Sequence, residues 1–315
     1  MRSNPRSRFP ELPRGALAPI LCAAAALLWP STSYAQPCCA GASVLTPARL
    51  TPLDDALVGL QFRAARVIGS FDGTGRYVSA PSGDNEHDLQ QDLIGTVRVF
   101  DRGQLSLSMP FLETFRAARG ASEVGGGLGD IALSGRYDAV IAGEHRWLPG
   151  IAVLAGIVFP TGKPLESASL PLGSDSTGTG AFQGTIGVAV EQIWGHLFAN
   201  LTVLVLQSAP RHVGSVSETL GLQGTASAAA GYVFDSGGAV ALNLVGMRSA
   251  DAVQDGNSVP GSARNKTLLG VAGAFPLATR WRIQGSLIGD LPLQSLGKNE
   301  PATIGLSLLL MRTWQ

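Results

Sequence analysis

The feature that most constrains this chain is a two-residue alternation of apolar and polar side chains, which returns from about residue 57 almost to the last residue. Its cleanest instance sets Leu105, Leu107, Met109 and Phe111 against Gln104, Ser106 and Ser108. A period of two places successive side chains on opposite faces of a β-strand, one face apolar and one polar. From residue 130 the polar side holds Asp130, Ala132, Ser134, Arg136 and Asp138, and the other side Ile131, Leu133, Gly135, Tyr137 and Ala139. A soluble sandwich turns its apolar faces into a dry core. A membrane barrel turns them to lipid and its charged faces to a wet lumen.

Composition favours the barrel. Charged residues make up only 15% of the 315, against roughly 25% in a typical soluble domain. Mean hydropathy is slightly positive, net charge is zero, and glycine is abundant at 40 residues. No basic stretch after the N-terminus suggests a nucleic-acid partner.

The N-terminus reads as an export signal. Arg2, Arg6, Arg8 and Arg14 precede an apolar run from Ala16 to Trp29, and Ser33-Tyr34-Ala35 offers a small-x-small cleavage site. The expected organisation is a signal peptide over 1–35, a leader over 36–53 and a barrel over 54–315. The alternative, an uncleaved anchor, meets an apolar run shorter than the ~20 residues of a spanning helix. Cys22 leaves with the signal. Cys38 and Cys39 are adjacent and could form a vicinal disulfide, pair between chains, bind metal, or tether the N-terminus.

Twelve strands are predicted, at about 57–70, 91–100, 104–115, 130 onward, 150–160, 181–191, 196–208, 218–234, 239–247, 265–275, 281–290 and 302–314. Connections after the even strands are short. Those after the odd strands are longer, polar and rich in Gly and Ser, as with short periplasmic turns and long extracellular loops. Trp147, Trp194, Trp281 and Trp314 fall at the short-turn ends, with Phe100, Tyr232, Phe234 and Phe275. Such rings suit the headgroup level, where an apolar body meets a polar edge. The last strand alternates Ile304, Leu306, Leu308 and Leu310 with Thr303, Gly305 and Ser307, and carries an aromatic residue one place before its end. The fold class expected is therefore all-β, a transmembrane antiparallel β-barrel of about twelve strands of the Gram-negative outer-membrane type.

Three short motifs also carry a resemblance. They are GGGLGDIALSGRY at Gly125–Tyr137, LSLSMPF at Leu105–Phe111 and FPTG at Phe159–Gly162. Together they resemble the outer-membrane proteins named after the MetA pathway of phenol degradation. That resemblance implies a barrel and the passage of small, often apolar, molecules, and it fixes no catalytic residues.

Little in the chain suggests bond-making chemistry. The glycine run precedes a strand, whereas a dinucleotide fingerprint needs a strand before it and a helix after it. His87, His145, His196 and His212 are scattered over loops and turns, and only His212 with Ser208 or Ser215 could be joined into a hydrolase pair. No catalytic residue, metal site or cofactor is predicted. Alternation directs Arg63, Arg98, Asp130, Arg136, Glu191, Lys266 and Arg282 into the lumen. Their mixed signs suit either ion pairs that hold the interior together or a lining that selects weakly among solutes.

The leading expectation is a passive outer-membrane channel for small hydrophobic or aromatic compounds. Its partners would be outer-membrane lipid, the barrel-insertion machinery and those solutes, with no nucleic acid. A barrel serving adhesion or envelope structure through its loops is the alternative, and a lumen plugged by the leader would favour it. A lipid-modifying enzyme is a third.

Overall fold

A computed structural model describes residues 49–118, 120–144 and 147–315. The signal peptide, Cys22, Cys38, Cys39, His145 and most of the leader lie outside the described residues.

Twelve antiparallel strands form the wall: β1 (Ala56–Phe71), β2 (Asn85–Phe100), β3 (Gly103–Ala118), β4 (Ala121–Leu128 and Ile131–Val140), β5 (Gly150–Phe159), β6 (Gln183–Trp194), β7 (Leu197–Ser208), β8 (Gln223–Val233), β9 (Ala239–Ser249), β10 (Arg264–Ala278), β11 (Trp281–Asp290) and β12 (Glu300–Trp314). Each pairs with its neighbours in sequence, and β12 closes the ring on β1 from Ala56↔Trp314 to Phe71↔Glu300. Closure removes the exposed edges that an open sheet would present.

The alternation maps onto the two surfaces of the ring. On β1, Val58, Leu60 and Phe62 are exposed on the outside, while Leu57, Gly59 and Gln61 are buried inside. The same outward apolar series runs through Leu105, Leu107 and Phe111, Leu201, Val203 and Val205, and Ile304, Leu306 and Leu308. Such a belt needs lipid as its solvent. No helix of the described residues is long and apolar enough to cross a membrane; a strand barrel has no need of one.

At the short-turn end Trp147, Trp194 and Trp281 are exposed, with Phe100, Tyr232, Phe234 and Phe275. The Arg312 guanidinium lies over Trp281 and Trp314, 5.6 and 5.1 Å from their ring centres, so a cation–π contact ties β11 to β12 at this rim.

The structure departs from the sequence reading at three places. The residues before Gly125, predicted as a loop after β3, continue the wall, and Ala118 pairs directly with Ala121. Gly and Ala hide the apolar alternation of a lipid-facing strand, which is why this segment resembled a loop. Residues 218–222 do not begin β8. Arg211–Val213 and Val216–Thr219 form a hairpin that joins Val253–Gln254 and Asn257–Ser258 in a separate four-stranded sheet above the barrel. The second strand begins at Asn85, six residues before the alternation becomes regular.

Strand β4 also carries a bulge. Ser108 pairs with Ala132, but Phe111 pairs with Leu128, so one extra residue is accommodated at Gly129–Asp130 opposite Pro110. Pro110 has no N–H for the ladder; its carbonyl accepts from Gly129 N at 2.8 Å. A bulge re-aims side chains, and here it frees Asp130 from strict alternation.

Candidate solute path through the barrel

The interior holds a cavity of about 360 Å³, lined by Arg49 and by residues of β1 to β9. One side is polar, with Gln61, Arg63, Ser106 and Ser108. The other side carries Leu154, Leu204, Leu206 and Met247, beside Thr185 and Thr225.

Four charges close the cavity toward the short turns. Arg136 on β4 donates to Asp138 Oδ1 at 2.9 Å and to Glu191 Oε1 at 3.0 Å. It reaches Glu191 across β5 because that strand places Gly150 and the fully buried Ala152 between them. Arg49, from the leader, pairs with Glu191 and with Asp138, the latter at 3.3 Å. Two cations and two carboxylates, all largely buried, thus neutralise one another. Buried charges survive only in such company.

Arg49 belongs to a segment that crosses the barrel floor. Leu50 donates its N–H to Gln104 Oε1 at 3.1 Å and packs with Leu57, Ile94, Leu309 and Met311. Arg98 donates to the carbonyls of Thr51 and Asp54, at 2.6 and 2.8 Å through Nη2. Asp54 accepts from Thr51 Oγ1 at 2.6 Å and lies 3.8 Å from Arg282. Residues 49–54 are therefore a plug, held by β1 to β4, β6, β11 and β12.

At the opposite end the connection between β5 and β6, residues 160–182, lies against the inner face of β4. Asp130 accepts from Gly162 N at 2.9 Å, and from Thr179 N and Oγ1 at 2.7 and 2.9 Å. Thr177 Oγ1 donates to Leu128 O at 2.7 Å, Arg116 donates to Leu172 O at 2.7 Å, and Leu172 N donates to Glu123. The glycine run makes this seating possible: a Cβ on Gly125 would lie 2.5 Å from Asp175 N. Asp175 ties the loop together, accepting from Lys163 and from Ser169 Oγ at 2.6 Å. The Lys163 ammonium and the Ser169 donors hold its carboxyl well below the usual carboxylate range. Ala121–Leu128 pairs with β3 alone among the described strands, and the loop reaches it through side-chain contacts.

The other predicted residues fall as follows. Arg63 donates from Nε and Nη2 to Asp92 Oδ2 at 3.0 and 2.8 Å. Lys266 lies 3.4 Å from Asp290, whose Oδ2 also accepts from Thr303 N at 2.7 Å. Arg98 and Arg282 meet the plug, Arg136 and Glu191 form the charge cluster, and Asp130 anchors the loop. Asp92 and Asp138 share the inward parity of their neighbours, and that signal was sufficient to find them. Arg49 and Lys163 lie outside any alternation, and nothing local marks them.

The histidines do not converge. His196 stacks on Tyr232 with ring centres 5.4 Å apart. His87 lies 6.2 Å from Phe115. His212 is exposed in the outer hairpin, while the buried Ser208 Oγ accepts from Leu220 N at 2.9 Å. Among the described residues no group of three or more His, Cys, Asp or Glu is placed to hold a metal.

A closed twelve-strand ring with an apolar outer belt and a polar, ion-paired interior is the architecture of outer-membrane channels. One solved structure it resembles is a COG4313 outer membrane channel from Pseudomonas putida F1, 16% identical, with 84% of this chain and 97% of that one aligned at a TM-score of 0.71. At that identity the likeness concerns the fold. Two hydrocarbon channels align more loosely, both at a TM-score of 0.43. The CymD monoaromatic hydrocarbon channel is 8% identical, over 83% of this chain and 89% of that one. The TodX monoaromatic hydrocarbon channel, as a deltaS2 mutant, is 10% identical, over 83% and 91%. No protein-family model and no curated protein sequence matches the chain.

Proposed function

We propose that this protein is an exported outer-membrane channel for passive passage of small hydrophobic or aromatic compounds, without catalysis or energy coupling. The observation that carries this reading is the cavity of about 360 Å³ inside a closed barrel. That size suits one small-molecule body, and Leu154, Leu204, Leu206 and Met247 give one wall apolar surface. The motif resemblance to the MetA-pathway outer-membrane proteins supports the same reading. Solutes enter past the 160–182 loop and rest between the two closures. Displacing residues 49–54 opens the way to the periplasm. The half-paired edge of β4 offers a second exit, through the wall, for solutes apolar enough to enter lipid.

The plug itself favours another reading, a barrel that serves adhesion or envelope structure through the four-stranded sheet above the membrane. Flux decides between them. Vesicles reconstituted with the refolded protein should admit small aromatic solutes faster than protein-free vesicles. Equal rates would favour the structural role.

A further inference from the structure

The cavity is electrostatically one-sided. Arg63 is the exposed charge on its polar wall: its side chain is 43% exposed, against 3% for its partner Asp92. Asp92 is fully engaged, Oδ2 by Arg63 and Oδ1 by Gln90 Nε2 at 2.8 Å. Arg63 gives only Nε and Nη2 to that carboxylate, and its Nη1 has no partner among the described residues. The negative member of the pair is hidden and the positive member is presented. The other cations at the cavity, Arg49 and Arg136, are 6% and 11% exposed and locked onto Asp138 and Glu191, so they offer a solute little.

The wall across from Arg63 bears no charge and mixes Leu204, Leu206 and Met247 with Gln223 and Thr225. In a ring of twelve, β7 stands opposite β1 and β9 opposite β3. Leu204 and Leu206 of β7 and Met247 of β9 therefore face Gln61, Arg63 and Ser106 across the cavity. A neutral hydrocarbon would leave the guanidinium edge without an acceptor. An amphipathic anion would satisfy both walls, its ring against the leucines and its oxyanion on Nη1.

We propose that the cavity is a binding site for small amphipathic monoanions, a single apolar or aromatic body bearing one carboxylate, with Arg63 as the anion-recognising residue. A carboxylate on a guanidinium makes a charge-assisted hydrogen bond, stronger than a neutral one. The proposal rests on the channel reading above and sharpens it from apolar solutes to acidic ones.

The test is isothermal titration calorimetry of the refolded mature barrel in amphipol at pH 7.5, with 4-phenylbutyrate and the matched alcohol 4-phenyl-1-butanol. The acid should bind about tenfold more tightly, the scale of one charge-assisted contact. Removing Arg63 alone would strand a buried carboxylate, so the informative variant is the double change Arg63→Gln, Asp92→Asn. It should lose the preference through loss of acid affinity, while Arg63→Lys should keep part of it. Heat-modifiable gel mobility reports folding for each. Equal affinities in the native protein would overturn the proposal and leave the apolar chamber standing. A preference that survives in the folded double variant would overturn the assignment to Arg63. Binding of neither ligand would overturn both the proposal and the chamber.

Discussion

Thr179 donates its backbone N–H to Asp130 Oδ2 at 2.7 Å, and this contact fastens a loop to the barrel wall across 49 residues of sequence. The bulge beside Pro110 aims the carboxylate, and the Thr179 hydroxyl and Gly162 N–H complete its set of donors. Asp130→Ala should therefore release residues 160–182. Hydrogen bonds to a charged group contribute about 1.5–3 kcal/mol each, and the loss of three will be partly offset by water. A net cost of about 2–4 kcal/mol in loop docking is expected. Limited proteolysis should cut the variant within the loop while the strand core stays heat-modifiable.

Gly125 is a second handle on the same loop. Its missing Cβ leaves room for Asp175 N and the Ser174 carbonyl, each of which would lie under 3 Å from it. Those are backbone atoms and cannot swing aside. Gly125→Val should undock the loop as Asp130→Ala does, with equal susceptibility to protease. Gly95, whose added Cβ would meet nothing within 4 Å, is the control, and Gly95→Ala should leave the loop protected.

At the floor, Arg49→Ala removes one of the two cations that share Glu191 and Asp138. Arg136 stays, so the cost should be below the ~3–5 kcal/mol of a fully broken buried pair. The plug should loosen while the barrel remains folded. Crosslinking of a cysteine placed at Leu50 to one placed at Met311, its neighbour in the floor cluster, should slow in the variant.

The loop's response to acid follows from Asp175. Lys163 and Ser169 hold its carboxyl below the ordinary value, so the folded state binds the proton less tightly than the unfolded chain. Such a group stabilises fully above its unfolded value, near 3.9, and the contribution disappears as pH falls through the depressed folded value. Protease protection of 160–182 should stay flat from pH 8 to about 4 and fall only in stronger acid. Lys163→Met, which removes the largest cause of the depression, should move that fall to higher pH.

How much of this was readable beforehand divides along physical lines. The twelve-strand barrel was legible because lipid on one side and water on the other impose a period of two, residue by residue. Trp281 and Trp314 declared their end of the barrel in the same way. The parity of Arg136 and Glu191 was visible, but their meeting depends on Gly150 and Ala152 in the strand between. The plug was not legible at residue level, since Arg49 and Leu50 follow no period and gain their partners only when the ring closes. The glycine run misled because the same residues that weaken an isolated strand here admit a loop against its face. Asp130 read as one inward charge among several. Only the bulge, a one-residue slip between β3 and β4, turns it into an anchor.

The central claim, that solutes pass through this barrel and that residues 49–54 restrain them, is tested most directly by single-channel conductance in a planar bilayer. Native protein and Arg49→Ala should be compared with and without a small aromatic solute. The account predicts small or rare openings in the native barrel, larger or more frequent ones in Arg49→Ala, and block of both by the solute. Folded, heat-modifiable barrels that stay silent in both forms, or steps that the aromatic solute leaves untouched, would contradict it.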